Sequence, residues 1–325
     1  MRFFSTIISV GMLTIIALLI GVCMTVYAFK APGPLAEDKI VFIKPGSSAY
    51  AIADTFKQQG IMTSKIAFLM PYVVRIRYNA QGLQAGEYKI PAKTSAMQAI
   101  KMLEKGKTLQ RQITFAEGLS SVEIVEILNN AEAMTGEITE IPAEGSLLPE
   151  SYAYTRDEDR QKLVERMQSH MQDAINDLWE GRVENLPFDT IEEAITLASI
   201  VEKETAIPSE RPRVAGVFVN RLRKGMLLQT DPTVIYAITK GKEKFDRKLY
   251  YKDLKRDDPY NTYVYAGLPP GPIANPGRES LAAVLNPEEH DYLYFVADGT
   301  GGHVFAKTLD EHNKNVAAWR KINKK

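Results

Sequence analysis

The sequence predicts an α+β protein with a single amino-terminal transmembrane helix, and three observations predict it. No charged residue occurs from Phe3 to Phe29. Beyond that run, short apolar strands and helices alternate and are punctuated by Gly and Pro. Later in the chain an apolar helix ends in two acids, within Glu202-Lys203-Glu204-Thr205. Composition fits this class, since 45% hydrophobic and 25% charged residues in a 325-residue chain suffice for a sizeable globular core. Forty basic residues balance forty acidic ones, so no global field favours nucleic acid. The lone cysteine, Cys23, excludes an intramolecular disulfide and a Cys/His zinc site. His170, His290, His303 and His312 show no metal-ligand spacing, so neither a metal nor a cofactor is expected.

The apolar run, residues 6–29, is long enough to cross the roughly 30 Å hydrocarbon layer at about 1.5 Å per residue. A cleaved signal peptide usually has a shorter apolar region, and Val26-Tyr27-Ala28 imitates its cleavage site only fairly, so a retained anchor is expected. Residues 1–5 then form a cytoplasmic tail, residues 30–39 a Pro/Gly linker, and the remainder lies outside the cytoplasm.

Ile40-Val41-Phe42-Ile43 reads as a strand that turns at Pro45-Gly46 into a helix carrying Ile52 and Phe56. Residues 66–76 read as a helix interrupted or kinked at Pro71. A strand over residues 85–91 and a helix over residues 94–105 follow, the helix stopping at Gly106. These βα pieces, residues 40–108, resemble LysM-type glycan-binding modules; a small packing domain without a ligand is the alternative. Residues 109–143 form a connecting α/β segment in which Ser120 and Glu123 have capping-box spacing. A second domain occupies residues 144–325 and includes an amphipathic helix with Leu163, Met167, Met171 and Ile175. Near the end, Gly299-Thr300-Gly301-Gly302 is a tight turn between two strands; with no lysine or helix after it, it is not a phosphate loop.

Thr190 and Glu193 form a second capping box, opening the helix that reaches Glu202 and Glu204. Acids at a helix carboxyl end oppose the macrodipole, so both have reason to lie somewhere other than free solvent. At 100° per residue Glu202 falls within the apolar arc and Glu204 at its margin, which leaves either free to be partly buried. A carboxyl group in an apolar wall keeps its proton near neutral pH, as protonation of a leaving glycosidic oxygen requires. A salt-bridged pair helped by Arg211 or Arg213 is the alternative. Downstream, residues 225–236 and 260–263 supply amides, hydroxyls and aromatic rings in turn-rich sequence, the equipment of a sugar-binding groove. No G-x-S-x-G elbow points to a serine hydrolase.

Leu197-Ala198-Ser199-Ile200-Val201-Glu202-Lys203-Glu204-Thr205, Leu228-Gln229-Thr230-Asp231-Pro232-Thr233-Val234-Ile235-Tyr236, Tyr260-Asn261-Thr262-Tyr263, Gly267-Leu268-Pro269-Pro270-Gly271 and Tyr294-Phe295-Val296-Ala297 closely resemble the endolytic murein transglycosylases, the YceG-like family. The resemblance implies that Glu204 is the catalytic acid. Glu202 remains a secondary candidate, and Gln229, Thr230, Asp231, Asn261 and Tyr263 are candidates for substrate binding. It further implies cleavage of the β-1,4 bond between N-acetylmuramic acid and N-acetylglucosamine, 1,6-anhydro ends, and termination of strand elongation beside penicillin-binding proteins. Ser146, Leu148 and Glu150 depart from the family pattern, which touches substrate contacts rather than the reaction. A membrane-tethered glycan-binding scaffold and a hydrolytic muramidase are the competing functions.

Overall fold

In the computed structural model, residues 2–78 and 82–322 are described; Met1, residues 79–81 of the segment expected to be LysM-like and residues 323–325 lie outside them. The chain divides into two compact units, Met1–Arg111 and Gln112–Lys325.

The first unit opens with α1 (Arg2–Lys30), of which Val10–Lys30 is long and apolar enough to cross a membrane, with 21 residues at a mean hydropathy of 2.4. Its last turn does not lead into a free tether. Phe29 is buried in the unit's core, and the segment after it is sewn down by Gly33 N–H to Lys93 O (3.1 Å) and Lys93 N–H to Leu35 O (2.8 Å). A Cβ on Gly33 would meet Thr94 O at 2.2 Å, so only glycine allows this approach. The expected linker over residues 30–39 is therefore tied down at Gly33 and Leu35, although most of its residues are exposed. Strand β1 (Lys39–Ile43) is followed by α2 (Ala49–Gln58) and α3 (Ser64–Tyr78), and then by β2 (Gly86–Ile90) and α4 (Ala96–Lys105). β1 and β2 are antiparallel, with Val41 opposite Tyr88 and Ile43 opposite Gly86. Val41, Ile43, Phe56, Tyr88, Ile100 and Leu103 close one apolar core. Of the interruption or kink expected at Pro71, the interruption is absent: α3 continues on both sides of this buried proline.

The second unit contains several of the expected features in place. β3 (Arg111–Thr114) precedes α5 (Ser121–Asn129), whose Ser120/Glu123 capping box is formed. β4 (Ser151–Tyr154) pairs with β3, and α6 (Arg160–Glu180) follows. α7 (Ile191–Glu204) starts at the Thr190/Glu193 capping box, with Glu193 N–H to Thr190 Oγ1 at 3.2 Å and Thr190 N–H to Glu193 Oε2 at 3.1 Å. α8 (Arg211–Arg223), α9 (Asp231–Thr239) and α10 (Arg278–Leu285) come next. The antiparallel hairpin β5 (Tyr294–Ala297) and β6 (His303–Ala306) is joined by the expected glycine turn, and α11 (Leu309–Ile322) ends the described chain.

α7 is the buried axle of this unit. Its residues Ala194, Leu197, Ala198, Ile200 and Val201 are fully inaccessible and pack against α8 and α10. Burial of each large aliphatic side chain contributes about 1.5–3 kcal/mol. Ser199, also buried, donates to Thr196 O at 2.7 Å and accepts Ile273 N–H at 3.0 Å, which ties the proline-rich loop to the helix. A rigid axle thus delivers its last turn to the surface at a fixed position.

Candidate active site

The two acids at the end of α7 go to different surroundings. Glu202 points into an ion network. Its Oε1 accepts from Arg211 Nη2 at 3.1 Å and its Oε2 accepts from Gly277 N–H at 2.9 Å, and its side chain is 4% exposed. The same guanidinium donates to Glu117 Oε2 at 2.9 Å and to Glu279. A Cβ on Gly277 would lie 1.9 Å from Glu117 Oε1, so glycine is what lets the loop reach this cluster. Paired with Arg211 and with a backbone amide, the Glu202 side chain ties the end of α7 to α8 and to the start of α10.

Glu204, two residues on, is the last residue of α7 and half-buried. Desolvation raises its carboxyl pKa above the ordinary value, and the nearby Asp231 charge raises it further. A hydrogen bond from Thr230, with the charges of His303 and Arg221, pulls in the other direction without cancelling the effect of burial. Thr230 Oγ1 donates to Glu204 Oε1.

The segment that presents Thr230 breaks two local rules in succession. Gln229 adopts a left-handed backbone at φ 51°, uncommon and strained for a residue with a Cβ. Thr230 occupies the N-cap of α9, yet its hydroxyl serves Glu204 instead of capping the helix. A buried hydroxyl network fixes it: Thr230 N–H donates to Thr262 Oγ1 at 3.2 Å, Thr233 Oγ1 donates to Thr230 O at 2.7 Å, and the Thr233 and Thr262 hydroxyls are 2.8 Å apart. The network thus holds the Thr230 hydroxyl against Glu204 despite the local backbone strain.

The remaining expected residues divide. Gln229 is exposed, beside Thr230. Asp231 opens α9, and its Oδ1 accepts from Tyr263 Oη at 2.6 Å. Burial and the Asp231 carboxylate together raise the Tyr263 phenol pKa, so the phenol stays protonated. Asn261 does not face the site. It is fully buried, its Nδ2 donates to Leu254 O (3.1 Å) and Arg256 O (2.8 Å), and its Oδ1 accepts Tyr263 N–H (3.0 Å). The expected sugar contact is a staple of its own loop, because every polar atom of the amide is already used.

Three further residues complete the surroundings. Arg221 is buried beneath the loop, donating through Nε to Leu293 O at 2.6 Å and through Nη1 to Leu228 O at 2.7 Å. Glu210 receives His303 N–H at 3.0 Å on Oε1 and faces His303 Nδ1 at 2.8 Å through Oε2, an arrangement that fixes the imidazole with Nδ1–H toward the carboxylate. Sequence reasoning missed all three, and no spacing pattern would have found them, since Glu210 and His303 are 93 positions apart. A cleft of about 460 Å³ is lined by Lys203 together with Pro232, Ile235, Tyr236, Phe245 and Ile273. Among the described residues, no group of three or more His, Cys, Asp or Glu side chains is arranged to hold a metal ion.

The helix end, the strained Gln229-Thr230 step and the Tyr263 loop all coincide with the sequence blocks quoted above, and residues 41–318 match the model of the YceG-like family. The chain belongs to that family. It is 34% identical over 308 residues to a Bacillus subtilis (strain 168) protein named endolytic murein transglycosylase, covering 84% of this chain and 82% of that one. A protein of the same name from Streptococcus pneumoniae (strain D39) is 28% identical over 322 residues, 85% of this chain but 57% of the longer relative. The 2.6 Å crystal structure of a YceG-like protein from Listeria monocytogenes superposes with a TM-score of 0.54 at 30% identity, covering 86% of this chain and 98% of that one. At that identity, membership of the family and likeness of fold agree.

Proposed function

We propose that this protein is a lytic transglycosylase that cuts peptidoglycan strands internally, with Glu204 as its catalytic acid. One observation carries the reading: Glu204 ends a rigid buried helix with its carboxyl pKa raised by burial, held by a threonine hydroxyl that a strained step delivers to it. The names of the family relatives supply the substrate class.

Protonated Glu204 donates to the glycosidic oxygen of the β-1,4 bond between N-acetylmuramic acid and N-acetylglucosamine as positive charge builds at the anomeric carbon. The resulting carboxylate takes the proton of the C6 hydroxyl, whose oxygen attacks the anomeric carbon and closes a 1,6-anhydro ring. One carboxylate serves both steps because no water attacks. Thr230 keeps the carboxylate in one rotamer, while Gln229, Asp231 and Tyr263 present polar groups to the sugars. Glu202, saturated by Arg211 and Gly277, supports the helix end. α1 anchors the protein in the plasma membrane, with residues beyond it extracytoplasmic, where strand cleavage terminates elongation by penicillin-binding synthases. The strand–helix–helix–strand order within residues 40–108 supports reading that segment as a LysM-like module.

Asp231 gives a second reading some support, since a carboxylate close enough to raise the Glu204 pKa is what a hydrolytic muramidase would use. Products separate the two. Wild-type protein digesting purified sacculi should release muropeptides with anhydro ends by mass spectrometry, and Glu204→Gln should release none, at least a 10²-fold loss for a general acid. Ends heavier by one water would establish the hydrolase, and full activity of Glu204→Gln would remove Glu204 from the mechanism.

A further inference from the structure

Helix α3 is apolar on two sides. Ala67, Met70 and Val74 are buried in the core of the first unit. A second stripe, Phe68, Leu69, Tyr72 and Ile76, follows helical spacing and faces outward, with Phe68 70% and Ile76 87% exposed. Tyr50 of α2 extends the patch, its ring 6.3 Å from that of Tyr72, which lies 6.1 Å from Phe68. A surface helix normally turns polar residues to water, and a contiguous apolar patch of this kind marks something that covers it.

Two observations identify the cover. Val73 and Ile76 line a single groove of about 970 Å³ together with Leu18 and Val22 of α1, so whatever solvates the apolar helix also meets this end of α3. Charge agrees with a lipid surface: between Asp54 and Glu87 the sequence has no acidic residue but carries Lys57, Lys65, Arg75 and Arg77. Lys65 and Arg75 are exposed on α3 itself.

We infer that the outward face of α3, with Tyr50, lies in the outer headgroup and acyl boundary of the bilayer that α1 spans, facing anionic lipids. The inference rests on the reading of α1 as a membrane anchor. Phe68 and Ile76 enter the acyl boundary, Tyr50 and Tyr72 take the interfacial depth that aromatic rings with a polar tip prefer, and Lys65 and Arg75 snorkel to phosphate. Because Phe29 is buried in the same unit, helix and interfacial face act as two rigid attachment points. The first unit is thereby held at a fixed height instead of swinging on a tether.

The test uses the full chain in vesicles of phosphatidylethanolamine and phosphatidylglycerol, with nitroxide labels read by their collisions with oxygen and with a water-soluble nickel chelate. The native Cys23 reports on α1. In a Cys23→Ser background, Phe68→Cys and, independently, Ile76→Cys report on α3, and Glu165→Cys gives the aqueous reference. The expected result is a severalfold higher oxygen-to-nickel ratio at positions 68 and 76 than at 165, approaching that at 23. A water-like ratio at 68 and 76 with a lipid-like ratio at 23 overturns the inference and leaves the anchor intact. Protection of 68 and 76 from both reagents also overturns it, by showing a protein surface there. A water-like ratio at 23 overturns the anchor reading and this inference with it.

Discussion

Replacing Glu204 by Gln removes an ionisable group from a desolvated position while keeping an oxygen for the Thr230 hydroxyl, and the direction of the pKa shift fixes how stability responds. Below the ordinary carboxyl value of 4.5 both folded and unfolded states hold the proton, so the shift contributes nothing. As pH rises past that value the unfolded chain ionises first, and the folded state is penalised until its own raised pKa is reached. Above that the penalty is constant. Glu204→Gln is therefore expected to be more stable than wild type at neutral pH, because it removes a charge from a desolvated position that is kept for function. The gain should vanish as pH falls toward 4.5. Thermal unfolding of both proteins across pH checks this, and equal stability at neutral pH would mean that the carboxyl group is better solvated than its surroundings imply.

One arginine couples three separate segments. Arg211, at the start of α8, reaches Glu117 before α5, Glu202 on α7 and Glu279 on α10. Arg211→Met should leave Glu202 buried without its cation, a loss of about 3–5 kcal/mol. A Tm decrease of roughly 10 °C is expected for a unit of this size. Adding Glu202→Gln to Arg211→Met should recover much of the loss, because it removes the stranded charge; a double variant as unstable as the single would deny that the network is electrostatic. This cluster also shows where sequence legibility stops. The capping boxes and the apolar faces of α6 and α7 were readable because their determinants lie within a few residues of each other. Helical arithmetic taken alone slightly favours Glu202, and only the family resemblance points to Glu204, since what distinguishes them is Arg211 and Gly277 for one and Thr230 for the other. Asn261 misled for a related reason: an amide in a turn-rich stretch suits a sugar or a backbone carbonyl equally, and only the folded loop decides.

At the scale of the whole molecule, the α+β class and the apolar helix were legible from composition and run length, whereas the junction between that helix and the first unit was not. Lys30 to Pro34 reads as a linker from its Pro and Gly content, yet Gly33 and Leu35 are fixed by backbone hydrogen bonds to Lys93. Phe29, the last aromatic residue of the helix, is 1% exposed and belongs to the core with Val41, Phe56 and Leu103. A soluble form beginning at Ala31 thus lacks a core side chain as well as an anchor. Deleting a buried phenylalanine costs about 3–5 kcal/mol, a large share of the stability of a small unit. A form beginning at Tyr27, which discards most of the apolar run but keeps Phe29, is expected to unfold at a clearly higher temperature than the form beginning at Ala31. The same comparison made with Phe29→Ala in the longer form should reproduce the deficit, which separates loss of the ring from loss of backbone. Identical melting of all three would show that Phe29 fills no essential space, and the helix would then be a tether after all.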